Sequence, residues 1–398
     1  MTESQVCPHS QRFSSRPGEA NEPPIEVRNG VWRIRSLTTA RAILRERGAT
    51  VQAGFNAGMV SRSTLRMPML YADGEAHRDQ RTKVARFFAP RTVTKRYREV
   101  IDRKAEELVD RMVSQGSVDL PAVAMHYSVD VAAHVMGLTN SPAEGLAKRL
   151  EGLLGLEFEP PGETPPQHPV RALLKSASSY LPMLAFYLRD VRPAIRARRA
   201  APQEDVISHL IAEGYSDAEI LIEAVTFGAA GMITTREFIC MATWHFLAQP
   251  DLRQRYAAAG EAERLEILHE ILRLEPVVGH LYRRVVTDFT VAGPDGEDLV
   301  IPAGSVLDLH IRQVNADVGP DGERLCPGRE VPKGVGPEVM SFGDGAHRCP
   351  GNSLAIQETD ALLQRLLRRE ITAETDPTVE WLDLIAGYEV RTMHVRVR

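Results

Sequence analysis

Cysteine is scarce: Cys7, Cys240, Cys326 and Cys349 are scattered over 398 residues, and no two form a CxxC pair. That scatter indicates neither a disulfide framework nor a tetrahedral zinc site, and it fits a reducing, cytoplasmic setting. No run of about 18 or more apolar residues occurs, so no bilayer-spanning segment is expected, and no secretory-type apolar stretch stands at the amino terminus. Neither sign of charge dominates. With 53 acidic and 48 basic residues the formal net charge is −5, too little positive field to draw the chain onto nucleic acid or anionic lipid. What is present is an ordinary globular composition, 43% hydrophobic and 25% charged, which supports a substantial core.

Helical periodicity dominates from about Asp73 to Leu274, with short strand-like stretches at Val31 to Ile34, Phe289 to Val291, Leu299 to Ile301 and the carboxyl end. The expected fold is mainly α with minor β-sheets. No repeat and no compositional break marks a linker, so residues 25–398 are expected as one large domain behind a flexible lead-in at residues 1–24. Five prolines within Glu157 to Pro169 forbid a continuous helix there and predict a surface loop, a connector or a lid. Ser216, with Glu219 three residues on, predicts a capping box opening a long helix that ends near Gln249-Pro250. Its stretch AVTFGAAGMITT is almost wholly apolar and should cross the interior, with Gly228 and Gly231 admitting something bulky.

The most informative segment is SFGDGAHRCPGNSLAIQETDALL, a glycine-rich loop running into an amphipathic helix. Cys349 sits at the junction and Pro350 suits a first helical position, where free N–H groups and the helix dipole favour a thiolate. Gly343, Gly345 and Gly351 remove side chains around the sulfur. Such a cysteine can be a metal ligand, a nucleophile or a buried structural thiol. His347 is near enough in sequence to serve a nucleophile as base, yet no further helper is evident.

At this point the chain resembles a known family: FGDGAHRCPG matches the haem-binding signature FGxGxHxCxG of the cytochromes P450 at every specified position. The resemblance implies the P450 fold, one haem b, and Cys349 as its axial thiolate and metal ligand. Phe342 would pack near the sulfur, His347 would reach a propionate, and Gly351 completes the signature. Glu270 and Arg273 in EILRLEP resemble the family's buried ExxR pair, with Arg324 as the third member. His77 and Arg81, four apart on one helical face, resemble its propionate-binding pair, and Arg283 resembles the strand arginine that reaches the other propionate. Ala230, Gly231 and Thr234 occupy the place of the oxygen-activation motif, where the threonine would hydrogen-bond dioxygen and steady a proton-delivering water. Ile233 stands where the family has an acid.

The activity so implied is oxidation of a small organic molecule with dioxygen, most simply hydroxylation of a natural product. Oxidative C–C or C–N coupling or ring closure is the alternative, and a non-catalytic haem sensor a further one. Peroxide-driven chemistry is disfavoured because Arg236 is followed by Glu237 and not by proline. Electrons would come from ferredoxin and ferredoxin reductase, with Arg78, Arg86 and Arg348 offering charge to an acidic partner. By family position the substrate pocket draws on Val51 to Met69, Leu173 to Tyr187, Phe227 to Thr235, Val277 to Leu281 and Leu384 to Tyr388.

Overall fold

The capping box is formed: Ser216 accepts from the Glu219 N–H while the Glu219 carboxylate accepts from the Ser216 N–H at 2.8 Å. The helix it opens runs as an α-helix over Asp217–Gly228, widens to a π-turn over Ala229–Ile233 and resumes as an α-helix over Thr234–Ala248. Gln249 ends it and Pro250 starts the next helix, where the missing N–H costs nothing. These are features of a computed structural model that describes residues 12–15, 22–54, 65–154, 181–382 and 386–398. The proline-rich stretch Glu157 to Pro169 lies outside the described residues, as do residues 55–64, 173–180 and 384–385 of the expected pocket.

By length and composition Asp217–Ala248 could cross a membrane, which the search for an unbroken apolar run did not anticipate. In the fold it packs against the Leu120–Met136, Glu261–Leu274 and Asn352–Leu366 helices. It also carries Glu223 and Glu237 buried among them. It is the interior helix of a mainly helical fold, as its apolar stretch predicts. The Gly74–Phe88 helix buries His77, Gln80, Val84, Phe87 and Phe88, a stripe at helical spacing, and turns Arg78 and Arg86 outward.

The largest sheet has five strands in the order Ile25–Arg28, Val31–Ile34, Val306–His310, His280–Val285 and Thr50–Gln52. Phe289–Ala292 and Asp298–Ile301 form a separate hairpin, and the carboxyl-terminal strands complete two further small sheets. Ile34, Leu307 and Leu309 of the large sheet close over Ile43 of the Leu37–Arg45 helix and Met340, forming a second core beside the main helical one.

Within the stretch expected as a flexible lead-in, Arg12 to Ser14 is docked. Arg12 Nε donates to the Leu274 carbonyl at 2.7 Å, Phe13 stacks on Trp244, and Ser14 donates to the buried Glu275. A buried carboxylate with two lone-pair sets needs such donors, and this segment supplies them. Cys326 is disulfide-bonded, a pairing that sequence spacing could not disclose.

Candidate active site

Cys349 lies half-buried in the loop before the Asn352–Leu366 helix, and its N–H donates to the Phe342 carbonyl at 2.8 Å, closing the signature loop on itself. The helix starts at Asn352 with Gly351 as its cap, so Pro350 precedes the first turn rather than occupying it. Gly343 and Gly345 adopt φ of +70° and +65°, the left-handed region that disfavours side chains. A Cβ on Gly345 would also stand 1.9 Å from the Leu44 carbonyl oxygen. Of the three glycines expected to clear space at the sulfur, Gly351 alone lies against it, its Cβ position 3.9 Å from Cys349 Sγ. Burial pushes the thiol pKa up, while the Gly351 N–H, Arg81 and Arg348 pull it down.

Around this loop the structure gathers the four expected cations. The rings of His77 and His347 stack at 4.0 Å, Arg81 donates to the Arg348 carbonyl, and Arg283 donates to Gln52 Oε1 and to the Tyr282 carbonyl. His77 is depressed to about 4, by burial first and then by the positive charge of His347, Arg81 and Arg283. Burial likewise lowers Arg81 and His347, and takes Arg283 down to about 10.

Two residues that sequence reasoning missed share this site. Asp73 accepts from His347 Nε2 at 3.2 Å and from the Gln52 N–H at 2.9 Å, and despite burial those bonds keep its carboxyl below the usual range. Its position four residues before His77 was the available signal. Gln52 is the cross-strand partner of Arg283, which only the strand register reveals. Among the described residues neither Arg81 nor Arg283 has a carboxylate within ion-pair distance.

On the interior helix, Thr234 Oγ1 donates to the Ala230 carbonyl at 2.6 Å and Thr235 Oγ1 to that of Gly231 at 2.7 Å. Both bonds fall at the π-turn, a distortion that recurs at functional sites. Met232 and Ile233 are buried, whereas Ala230 is exposed and a Cβ on Gly231 would meet nothing within 4 Å. The face bearing Ala230, Gly231 and Thr234 therefore opens onto free space. Gly228 instead abuts Leu150, at 3.1 Å from a Cβ, so its small size serves helix packing. Glu237 is aimed elsewhere: its carboxylate pairs with Arg236 and accepts from the Val390 N–H at 2.7 Å.

Glu270 and Arg273 form a buried bidentate pair at 2.7 and 2.9 Å. The third member is Arg329, whose Nε donates to Glu270 Oε1 at 3.3 Å, and not Arg324, which offers this cluster its backbone carbonyl. Two arginines five apart in an irregular loop cannot be told apart by spacing.

A family model described as Cytochrome P450 matches residues 266–378, which holds the ExxR pair and the Cys349 loop. Among curated proteins, the erythromycin C-12 hydroxylase of Saccharopolyspora erythraea is 26% identical over 363 residues, covering 89% of this chain and 86% of its own length. The steroid C26-monooxygenase of Mycolicibacterium smegmatis is 26% identical over 366 residues, 88% of this chain and 83% of its own. The solved structure of CalO2 superposes with a TM-score of 0.78 at 18% identity, covering 95% of this chain and 94% of that one. A mutant of P450 EryK in complex with erythromycin B gives 0.75 at 22%, covering 95% and 94%. The fold and these relatives point to an oxidoreductase of the haem-binding monooxygenase class. The chain is thus similar over most of its length to cytochromes P450, a family whose members bind haem and use dioxygen with electrons from redox partners.

The residues present fit that group. A part-buried cluster of two arginines and two histidines with one carboxylate among them is an incomplete electrostatic set, and the two propionates of a haem would complete it at a site where unpaired charge is costly.

Proposed function

We propose that the chain binds one haem b with Cys349 as the axial thiolate, Phe342 and Gly351 against the sulfur, and His77, Arg81, Arg283 and His347 toward the propionates. It then hydroxylates a small organic molecule, in keeping with a natural product. The observation that carries this reading is that Arg81 and Arg283 stand beside the Cys349 loop with, among the described residues, no carboxylate within ion-pair distance. Haem bound through a thiolate supplies reductive activation of dioxygen. The residues of the chain bind, orient and deliver protons.

Thr234 is the group that holds a proton at the open face of the interior helix. Its Oγ1 is anchored on the Ala230 carbonyl, so the oxygen lone pairs remain free to steady a water. Ile233 has no carboxylate and is buried in the core, and the Glu237 carboxylate is committed to Arg236 and Val390, so neither position supplies an acid beside Thr234. A hydroxyl or amide of the substrate completes the relay, and substrates bearing such a group turn over productively. Reduction comes from ferredoxin and its reductase in the cytoplasm. Arg78 and Arg86 are exposed and offer charge to an acidic partner, while Arg348 is bound to Glu338 at 2.5 Å.

The test supplies haem-loaded protein with ferredoxin, reductase, NAD(P)H and labelled dioxygen, using paired substrates with and without a hydroxyl near the oxidised carbon. Label in the product of the hydroxylated substrate, with peroxide leak rising in Thr234→Ala, supports the proposal. Efficient labelling of the stripped substrate overturns substrate assistance. An unlabelled, dehydrogenated or coupled product identifies oxidative coupling instead, and no substrate-dependent oxygen uptake identifies a sensor.

A further inference from the structure

Behind the strand that carries Arg283 stands a second group of ligand-type side chains. His280 lies directly opposite His310 across two antiparallel strands, and Asp308 lies opposite Tyr282. Alternation places these on one face of the sheet and Leu281 and Arg283 on the other. The Asp308 carboxylate is shared between the two rings, with Oδ1 2.7 Å from His280 Nδ1 and Oδ2 3.1 Å from His310 Nε2. One donor atom from each residue lies within 4.8 Å of the other two.

We infer that His280, Asp308 and His310 form a binding site for a single divalent transition-metal ion of the zinc type. Two imidazoles and one carboxylate are a donor set that zinc takes, with a fourth position left to water. Calcium and magnesium favour all-oxygen shells. Tetrahedral zinc with bonds of ~2.0–2.1 Å holds its donors about 3.4 Å apart, so the ion needs the rings to close by a little over an ångström at most.

The Asp308 carboxylate already faces a ring nitrogen on each side, at 2.7 Å and 3.1 Å. An ion seated between these atoms replaces the protons that the two rings now share with the carboxylate. Arg35, a cation close enough to act on His310, is engaged by Glu22 at 2.8 Å and Glu26 at 3.3 Å. The three ligand side chains are largely buried, His280 the most open of them at 16% exposed against 12% for Asp308 and 11% for His310, so the seat is sheltered and its approach from solvent is on the His280 side. Once seated the ion ties the His280–Val285 and Val306–His310 strands together behind the Arg283 face.

The experiment titrates untagged, chelator-treated, haem-loaded protein with zinc sulfate by calorimetry and follows thermal unfolding at matched concentrations. One equivalent of zinc beyond the iron is expected, with a melting temperature raised by about 2–4 °C at a hundredfold excess over Kd. Asp308→Asn and His310→Gln should each weaken binding at least tenfold. His280→Ala, at the least buried ligand and outside the two hydrophobic cores, gives the same loss and keeps the test decisive if a more buried variant misfolds. Zinc affinity unchanged in His280→Ala, or wild-type protein that takes up no equivalent and melts identically with and without zinc, would overturn the inference and leave a hydrogen-bonded triad only.

Discussion

The ring of His77 lies against the ring of His347 at a centroid distance of 4.0 Å with 26° between their planes. One comes from the Gly74–Phe88 helix and the other from the Cys349 loop, so this contact joins two distant motifs into one cation cluster. Each cation depresses its neighbours' protonation, and a dianionic ligand relieves all of them together. Arg283→Leu and His347→Ala are therefore expected to fold but to release haem roughly tenfold faster, equivalent to one charge-assisted hydrogen bond of about 1.5 kcal/mol. Haem transfer to an apo-acceptor measures this. Unchanged release in both variants would place the propionates elsewhere.

Cys349→Ser should abolish the red-shifted Soret band of the ferrous carbon monoxide complex. Cys240, wholly buried beside Glu237, can be replaced by alanine with the band intact and a stability loss of about 1 kcal/mol. A Cys349 variant that keeps the band refutes the ligand assignment.

Removing Glu270 or Arg273 leaves its partner's charge buried, and about 3–5 kcal/mol of stability should be lost. The structure adds a finer contrast. Arg329→Ala should cost about 1.5–3 kcal/mol because its bond to Glu270 is charged on both sides, whereas Arg324→Ala keeps the carbonyl that Arg273 uses and should fall within about 0.5 kcal/mol of wild type. Denaturant unfolding of the two variants tests this, and a larger effect at Arg324 would reverse the assignment.

Gly345→Ala combines a left-handed φ with a clash against the Leu44 carbonyl, and little folded protein is expected. Gly351→Ala places its methyl in ordinary contact with Cys349 Sγ. It should fold, with its effect confined to the haem spectrum. Comparing soluble yield with the absorption spectrum separates the two roles.

Glu223 is buried on the interior helix, accepts from the Met69 N–H at 3.2 Å and has its pKa raised by burial to about 7. A carboxyl raised in this way binds its proton more tightly in the folded state than in the unfolded one. Its contribution is complete below about 4.5 and is lost as pH rises through about 7. Glu223→Gln should match wild type near pH 5 and exceed it by up to ~3 kcal/mol near pH 8. Unfolding at the two pH values decides the point, and a gain confined to pH 5 would contradict the sign.

Local features of this chain were legible in its residues because each rests on neighbours in sequence. The Ser216–Glu219 capping box, the Val31–Ile34 strand, the end of the helix at Gln249-Pro250 and the Phe342–Cys349 loop all depend on spacings of a few positions, which steric and hydrogen-bonding rules translate directly. The same locality explains why Ala230, Gly231 and Thr234 could be singled out together. Long-range partners were a different matter. Strand register decided that Gln52 meets Arg283 and that His280 meets His310, packing decided that Glu237 turns to Val390, and loop geometry chose Arg329 over Arg324. The docking of Arg12 to Ser14 on Glu275 belongs with these. None of those choices is encoded in spacing, because a buried charge accepts whichever donor the folded chain brings to it, and only the tertiary structure determines which one arrives.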